Sequence, residues 1–149
     1  MRALRLILPV HRATHRVGLY LASRQRAALS QGESHILALL AASGGPMTVG
    51  QLHEGLAHKR STLTSILNRL AARGLVTREV GKADRRTFVV ATTAKGRRVA
   101  RAIHQELVDL ERAVAARVPE GDLRGFSRVL TAIENEAHVA TKKKRLRQP

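Results

Sequence analysis

The chain has 149 residues, a formal net charge of +16 and no cysteine. That length holds one compact domain, or one domain with helical extensions; the lack of thiols excludes disulfides, thiol redox sensing and cysteine zinc sites, and fits a cytoplasmic protein. Hydrophobic residues supply 44% of the chain but aromatics only Tyr20, Phe88 and Phe126, so the core must be aliphatic, and the stacking platforms of single-strand and RNA binders are missing.

The apolar run Leu4–Val10 is broken by Arg5 and too short to span a bilayer, so it reads as a packing segment with no membrane partner. A first helix is expected from about Pro9, which suits the first helical position, to about Ala28, with Val10, Ala13, Val17, Tyr20 and Leu21 as its apolar stripe. Ser30-Gln31-Gly32-Glu33 is a capping box that opens a second helix, whose Ile36, Leu37, Leu39 and Leu40 signal deep burial. Ser43-Gly44-Gly45-Pro46 ends it.

Thr48-Val49-Gly50-Gln51 is a second capping box, stapled by Met47 and Leu52, and opens a short third helix ending near Ala57 or His58. A fourth helix follows from about Arg60 to Arg73, with Gly74 as its left-handed stop. Leu63, Ile66, Leu67 and Leu70 repeat at helical spacing and must face the core. The opposite face then carries Ser61, Ser65 and Asn68, flanked by Thr62, Thr64 and Arg69. Hydroxyls, an amide and cations on one helix face are the groups that read the major groove.

Leu75–Val80 alternates into a strand, Gly81–Asp84 supplies a turn, and Thr87–Thr92 makes a return strand rich in β-branched residues. Lys82, Arg85 and Arg86 crowd the hairpin tip, where they suit phosphates or the minor groove, while Asp84 suits a structural pairing with a neighbouring arginine. Thr93 caps a long helix of about Ala94–Ala116 with the seam Val99, Ile103, Leu107, Leu110 and Val114. Pro119–Asp122 breaks the chain before a last helix of about Leu123–Val139, apolar at Leu123, Phe126, Leu130, Ile133 and Ala137. The run Thr141–Pro149 holds Lys142, Lys143, Lys144, Arg145 and Arg147, repels itself, and reads as a disordered phosphate-binding arm. Taking those five charges from +16 leaves +11, so the rest of the chain is basic in its own right.

Helix, turn, helix and cationic hairpin on so basic a chain point to double-stranded DNA as the partner. The long amphipathic helices at both ends need a cover for their apolar faces, and a second copy of the chain supplies it; a twofold dimer would then match a palindromic site. An enzyme is not expected. There is no Gly-rich phosphate loop, no H-E-x-x-H and no G-x-S-x-G, and Glu134 and Glu136 point to different helix faces. An architectural protein that coats DNA with little sequence preference is the alternative supported by the charge.

The run LHEGLAHKRSTLTSILNRLAARGLV, followed by DRR and then TAKG, resembles the MarR family of winged-helix transcription regulators, and the likeness covers about Pro9 to Val139. The family fold is mainly α with a small β-wing: a winged helix-turn-helix with six helices, the first, fifth and sixth interlocked in an obligate homodimer. The resemblance divides the chain into an N-terminal dimerisation helix (1–28), a DNA-binding lobe (29–93), C-terminal dimerisation helices (94–140) and the basic tail (141–149). It implies a repressor on a pseudo-palindromic operator. Ser61, Thr62, Thr64, Ser65 and Asn68 fall on its recognition surface, Arg60 and Arg69 on flanking phosphate contacts, Arg86 on the minor-groove wing arginine and Asp84 on that arginine's partner. His58, Lys59 and Thr92 depart from the family's usual residues.

Relatives often release DNA when a small anionic aromatic effector binds between lobe and dimer helices. Candidate pocket residues are His11 and His15, four apart on the first helix, and His35 and His104. Zinc-sensing relatives pair histidines one turn apart on the fifth helix; here Val108 follows His104, so neither a metal nor any other cofactor is expected.

Overall fold

The computed structural model describes residues 4–24, 29–56, 60–81 and 87–145, and the side chains among these except those of residues 60 and 141–145. The chain divides into two compact units, Met1–Val108 and Asp109–Pro149.

The first unit begins with α1 (Ile7–Arg24). This helix starts two residues before Pro9, which is tolerated because first-turn amides have no intrahelical acceptor to lose. α2 (Gln31–Ala42) opens on the expected capping box: Glu33 N donates to Ser30 Oγ at 3.3 Å and Ser30 N donates to Glu33 Oε2 at 2.7 Å. It closes at Ser43, and Gly44 then turns the chain at φ +69°. β1 (Met47–Thr48) was not foreseen, since two residues carry no readable alternation. Its second residue caps α3 (Val49–Leu56): Gln51 N donates to Thr48 Oγ1 at 3.1 Å and Thr48 N to Gln51 Oε1 at 2.8 Å.

α4 (Arg60–Ala72) follows and stops at Gly74, whose φ of +66° lets Leu75 N reach back to Leu70 O at 2.9 Å. β2 (Val76–Val80) and β3 (Phe88–Thr92) form the wing, running antiparallel in the sheet order β1-β3-β2. Val76 pairs with Thr92 and Val80 with Phe88, while Met47 pairs with Val90 on the other edge of β3.

α5 (Ala94–Ala115) leaves the sheet at Thr93. The Thr93 hydroxyl accepts from Gly96 N at 2.9 Å and donates to Gly74 O at 2.7 Å, and Thr93 N donates to Leu75 O at 3.1 Å. One residue therefore caps α5 and ties it to the end of α4. Lys95 Nζ adds a bond to Arg73 O at 3.0 Å. Gly96 lies so close to Leu75 that a Cβ would overlap its carbonyl. The core is aliphatic, as the composition required: Leu63, Ile66, Leu67 and Leu70 of α4 meet Ile36, Leu37, Leu52, Val90 and Ile103, all at most 4% exposed. Burial of one such side chain contributes about 1.5–3 kcal/mol.

The second unit holds the rest of α5 and α6 (Glu120–Arg145). α6 starts three residues before Leu123, because Pro119 O accepts from Asp122 N and Leu123 N and the acidic Glu120 and Asp122 favour a helix N-terminus. It also runs past Val139 to Arg145, five residues into the stretch 141–149 expected to be disordered. Lysine and arginine are good helix formers and their charges favour a helix C-terminus, which offsets their mutual repulsion. Among the described residues from Asp109 onward, no side chain is buried; Val114, Phe126 and Val139 are 46%, 53% and 46% exposed.

Candidate nucleic-acid interface

The α4 stripe of Leu63, Ile66, Leu67 and Leu70 faces the core, which turns Ser61, Thr62, Thr64, Ser65, Asn68 and Arg69 outward; all six are exposed. Helical periodicity alone dictates that division. The Ser65 hydroxyl donates to Ser61 O at 3.1 Å, which holds its oxygen close to the helix backbone.

Arg69 and Asn68 on this face have partners that sequence spacing does not reveal. Arg69, expected at a phosphate, donates from Nε to Glu33 Oε1 at 3.1 Å, although half of its side chain remains open to solvent. Asn68 Oδ1 accepts from Arg78 Nη1 at 3.0 Å, and the Arg78 guanidinium carbon lies 5.5 Å from the centre of the Phe88 ring. Arg78 was missed because a lone cation in a strand reads as ordinary solvated surface, and β2 is indeed exposed from Thr77 to Val80. Its signal was Phe88, one of only three aromatics, placed on the returning strand.

Glu33 is 3% exposed, and the Arg73 guanidinium stands 3.7 Å from its second oxygen. Burial pushes the carboxyl upward, but the Ser30 amide, the Arg69 guanidinium and the Ser30 hydroxyl stabilise the anion more, and its pKa falls below the usual carboxylate value. A residue chosen for capping α2 thus also anchors α4.

The wing-tip residues Lys82, Asp84, Arg85 and Arg86, with His58 and Lys59 of the turn, lie outside the described residues, as does the Arg60 side chain. The base of the wing is described. Gly81 N donates to Thr87 O at 2.7 Å and closes the ladder beyond the Val80–Phe88 pair.

Of the four candidate effector residues, His11 and His15 come together. With Val10, Thr14 and Gln31 they line an open hollow of about 320 Å³. His35 is half-buried and His104 exposed, and neither lines that hollow. A second hollow of about 300 Å³ is lined by apolar Leu40, Pro46 and Ala100 among others, together with Arg97 and Arg101. Sequence reasoning missed it, because its walls come from the end of α2, the sheet and the start of α5. Among the described residues no group of three or more His, Asp or Glu is placed to hold a metal ion. Among them too, no helix is long and apolar enough to cross a membrane.

Residues 29–87 match the model of the MarR family. No curated protein matches the sequence closely enough to count as a relative. The fold is that of several solved structures. NadR in complex with 4-hydroxyphenylacetate is 21% identical with a TM-score of 0.74, over 89% of this chain and 94% of that one. The PcaV transcriptional regulator from Streptomyces coelicolor, in complex with its natural ligand, is 19% identical with a TM-score of 0.73, over 92% and 99%. MepR from S. aureus in complex with DNA is 17% identical with a TM-score of 0.74, over 90% and 99%. Residues 29–87 thus match the MarR family model, and the chain shares the fold of these solved structures along most of its length.

Proposed function

We propose that the protein is a sequence-specific repressor that binds a pseudo-palindromic operator in double-stranded DNA as a homodimer and releases it when a small anionic aromatic effector binds. The observation that carries the reading is the α4 face: Ser61, Thr62, Thr64, Ser65 and Asn68 stand exposed on a helix that the core holds from behind, beside a wing, on a chain of net charge +16. Ser61, Thr62, Thr64, Ser65 and Asn68 contact base edges. Arg60, Arg69 and Lys82 contact phosphates, Arg85 and Arg86 work at the wing tip, and Asp84 orients one of those two arginines.

The dimer is supported by the second unit, which buries no described side chain alone and exposes Val114, Phe126 and Val139. A twofold axis would set two α4 helices about one DNA turn apart, roughly 34 Å. Effector response is supported by the ligand complexes of NadR and PcaV. The His11–His15 hollow is one seat anticipated from sequence; His35 and His104, the other two candidates, lie apart from it. The Arg97–Arg101 hollow offers a carboxylate two permanent cations and is the competing seat.

The test is fluorescence anisotropy against the DNA upstream of the protein's own gene and a shuffled duplex, across a salt series. Preference of about 10³ for the upstream duplex, abolished by 4-hydroxyphenylacetate or a related hydroxylated aromatic acid, is the expected result. Equal affinity for both duplexes, collapsing together as salt rises, would instead show a low-specificity architectural protein. His11→Ala and Arg101→Ala then separate the two effector seats.

A further inference from the structure

We propose that Arg78 is a positioning residue that makes Asn68 a donor-only reader of bases, favouring guanine; this rests on the DNA-binding reading above. Arg78 lies on β2, diagonal to Phe88 across the ladder, since Arg78 pairs with Val90 and Val80 with Phe88. Its guanidinium carbon is 5.5 Å from the Phe88 ring centre, within the range of a cation–π contact. From that platform Nη1 reaches Asn68 Oδ1 at 3.0 Å.

The chemistry fixes which way the amide faces. A guanidinium has donors and no acceptor, so the Asn68 oxygen is the atom that must meet it. The two hydrogens on Nδ2 are then the groups left for a base. An asparagine with both ends available pairs bidentately with adenine, donating to N7 and accepting from N6. Here the accepting end is shared with a cation, which lowers its capacity to accept from adenine. Guanine presents N7 and O6, both acceptors, and suits a donor-only amide with a guanidinium alongside. Both side chains are exposed, so the pair is worth little in the free protein; it gains importance once DNA excludes water from it.

The experiment is selection of bound duplexes from a randomised library by the full-length protein, Asn68→Ala and Arg78→Met, with circular dichroism confirming that each variant is folded. Asn68→Ala identifies the base position that Asn68 reads. The expected result is guanine at that position for the unaltered protein, and a shift towards adenine of about fivefold or more for Arg78→Met. A uniform loss of affinity in Arg78→Met, with the base preference at that position unchanged, overturns the proposal and leaves Arg78 as a phosphate contact. A position that Asn68→Ala does not alter also overturns it. Absence of any sequence preference in the unaltered protein would sink the operator reading itself, and this inference with it.

Discussion

Glu33 of α2 and Arg69 of α4 are joined across 36 positions of sequence, with Oε1 and Nε 3.1 Å apart. The carboxylate is buried, while the arginine belongs to the exposed face of α4. The first turn of α2 is thereby tied to the helix that would enter DNA. The same carboxylate closes the capping box with Ser30 and stands 3.7 Å from Arg73.

Glu33 has its pKa lowered in the folded state, so its contribution to stability is present above the unfolded carboxylate pKa of about 4.3 and is lost as pH falls through the lower folded value. Glu33→Gln should therefore cost about 1–2 kcal/mol near neutral pH, with the exposure of Arg69 keeping the figure modest. Urea denaturation at several pH values checks this. The gap between the two proteins should narrow as pH drops below about 4; a gap that stays constant into acid would mean that the charge contributes nothing.

At the junction of α4 and α5, Gly96→Ala forces a methyl group into the Leu75 carbonyl. Backbone cannot yield there as a flexible side chain would, so the expected loss is about 2 kcal/mol or more, read as a lowered urea midpoint. A neutral Gly96→Ala would show that α5 can shift away from the sheet at little cost.

Phe126 is 53% exposed on α6 within the single chain. If a second copy covers it, Phe126→Asp should convert the protein to a monomer in light scattering and weaken operator binding together with it. A variant that remains dimeric would place the interface elsewhere.

For DNA itself, Arg86→Ala should weaken operator binding by roughly 1–3 kcal/mol while the dimer stays intact. Deleting residues 142–149 should flatten the salt dependence yet keep specificity, because those cations can neutralise phosphates but do not read bases. Specificity lost with the tail would move readout away from α4.

Local chemistry made much of this molecule legible in advance. Two capping boxes, at Ser30 and Thr48, and the stop at Gly74 needed only neighbouring residues, and each stands where the sequence puts it. Leu63, Ile66, Leu67 and Leu70 assigned the inner face of α4 by period alone, and with it the outer face. The Pro9 and Leu123 boundaries were set a few residues late, because a helix end depends on which amides already lack acceptors. Residues 141–145 were taken for disorder because repulsion was counted and helix propensity was not.

What the linear chain determined, then, is every element whose cause lies within about four residues: caps, stops, amphipathic faces and the wing strands. Tertiary structure alone decided which of the outward polar groups have partners. Glu33 reaches Arg69, Arg78 reaches Asn68, and Thr93 reaches back to Gly74, across gaps of up to 36 positions. Periodicity assigns a side chain to a face of its own helix or strand, but the atom it meets is set by how that element packs against another.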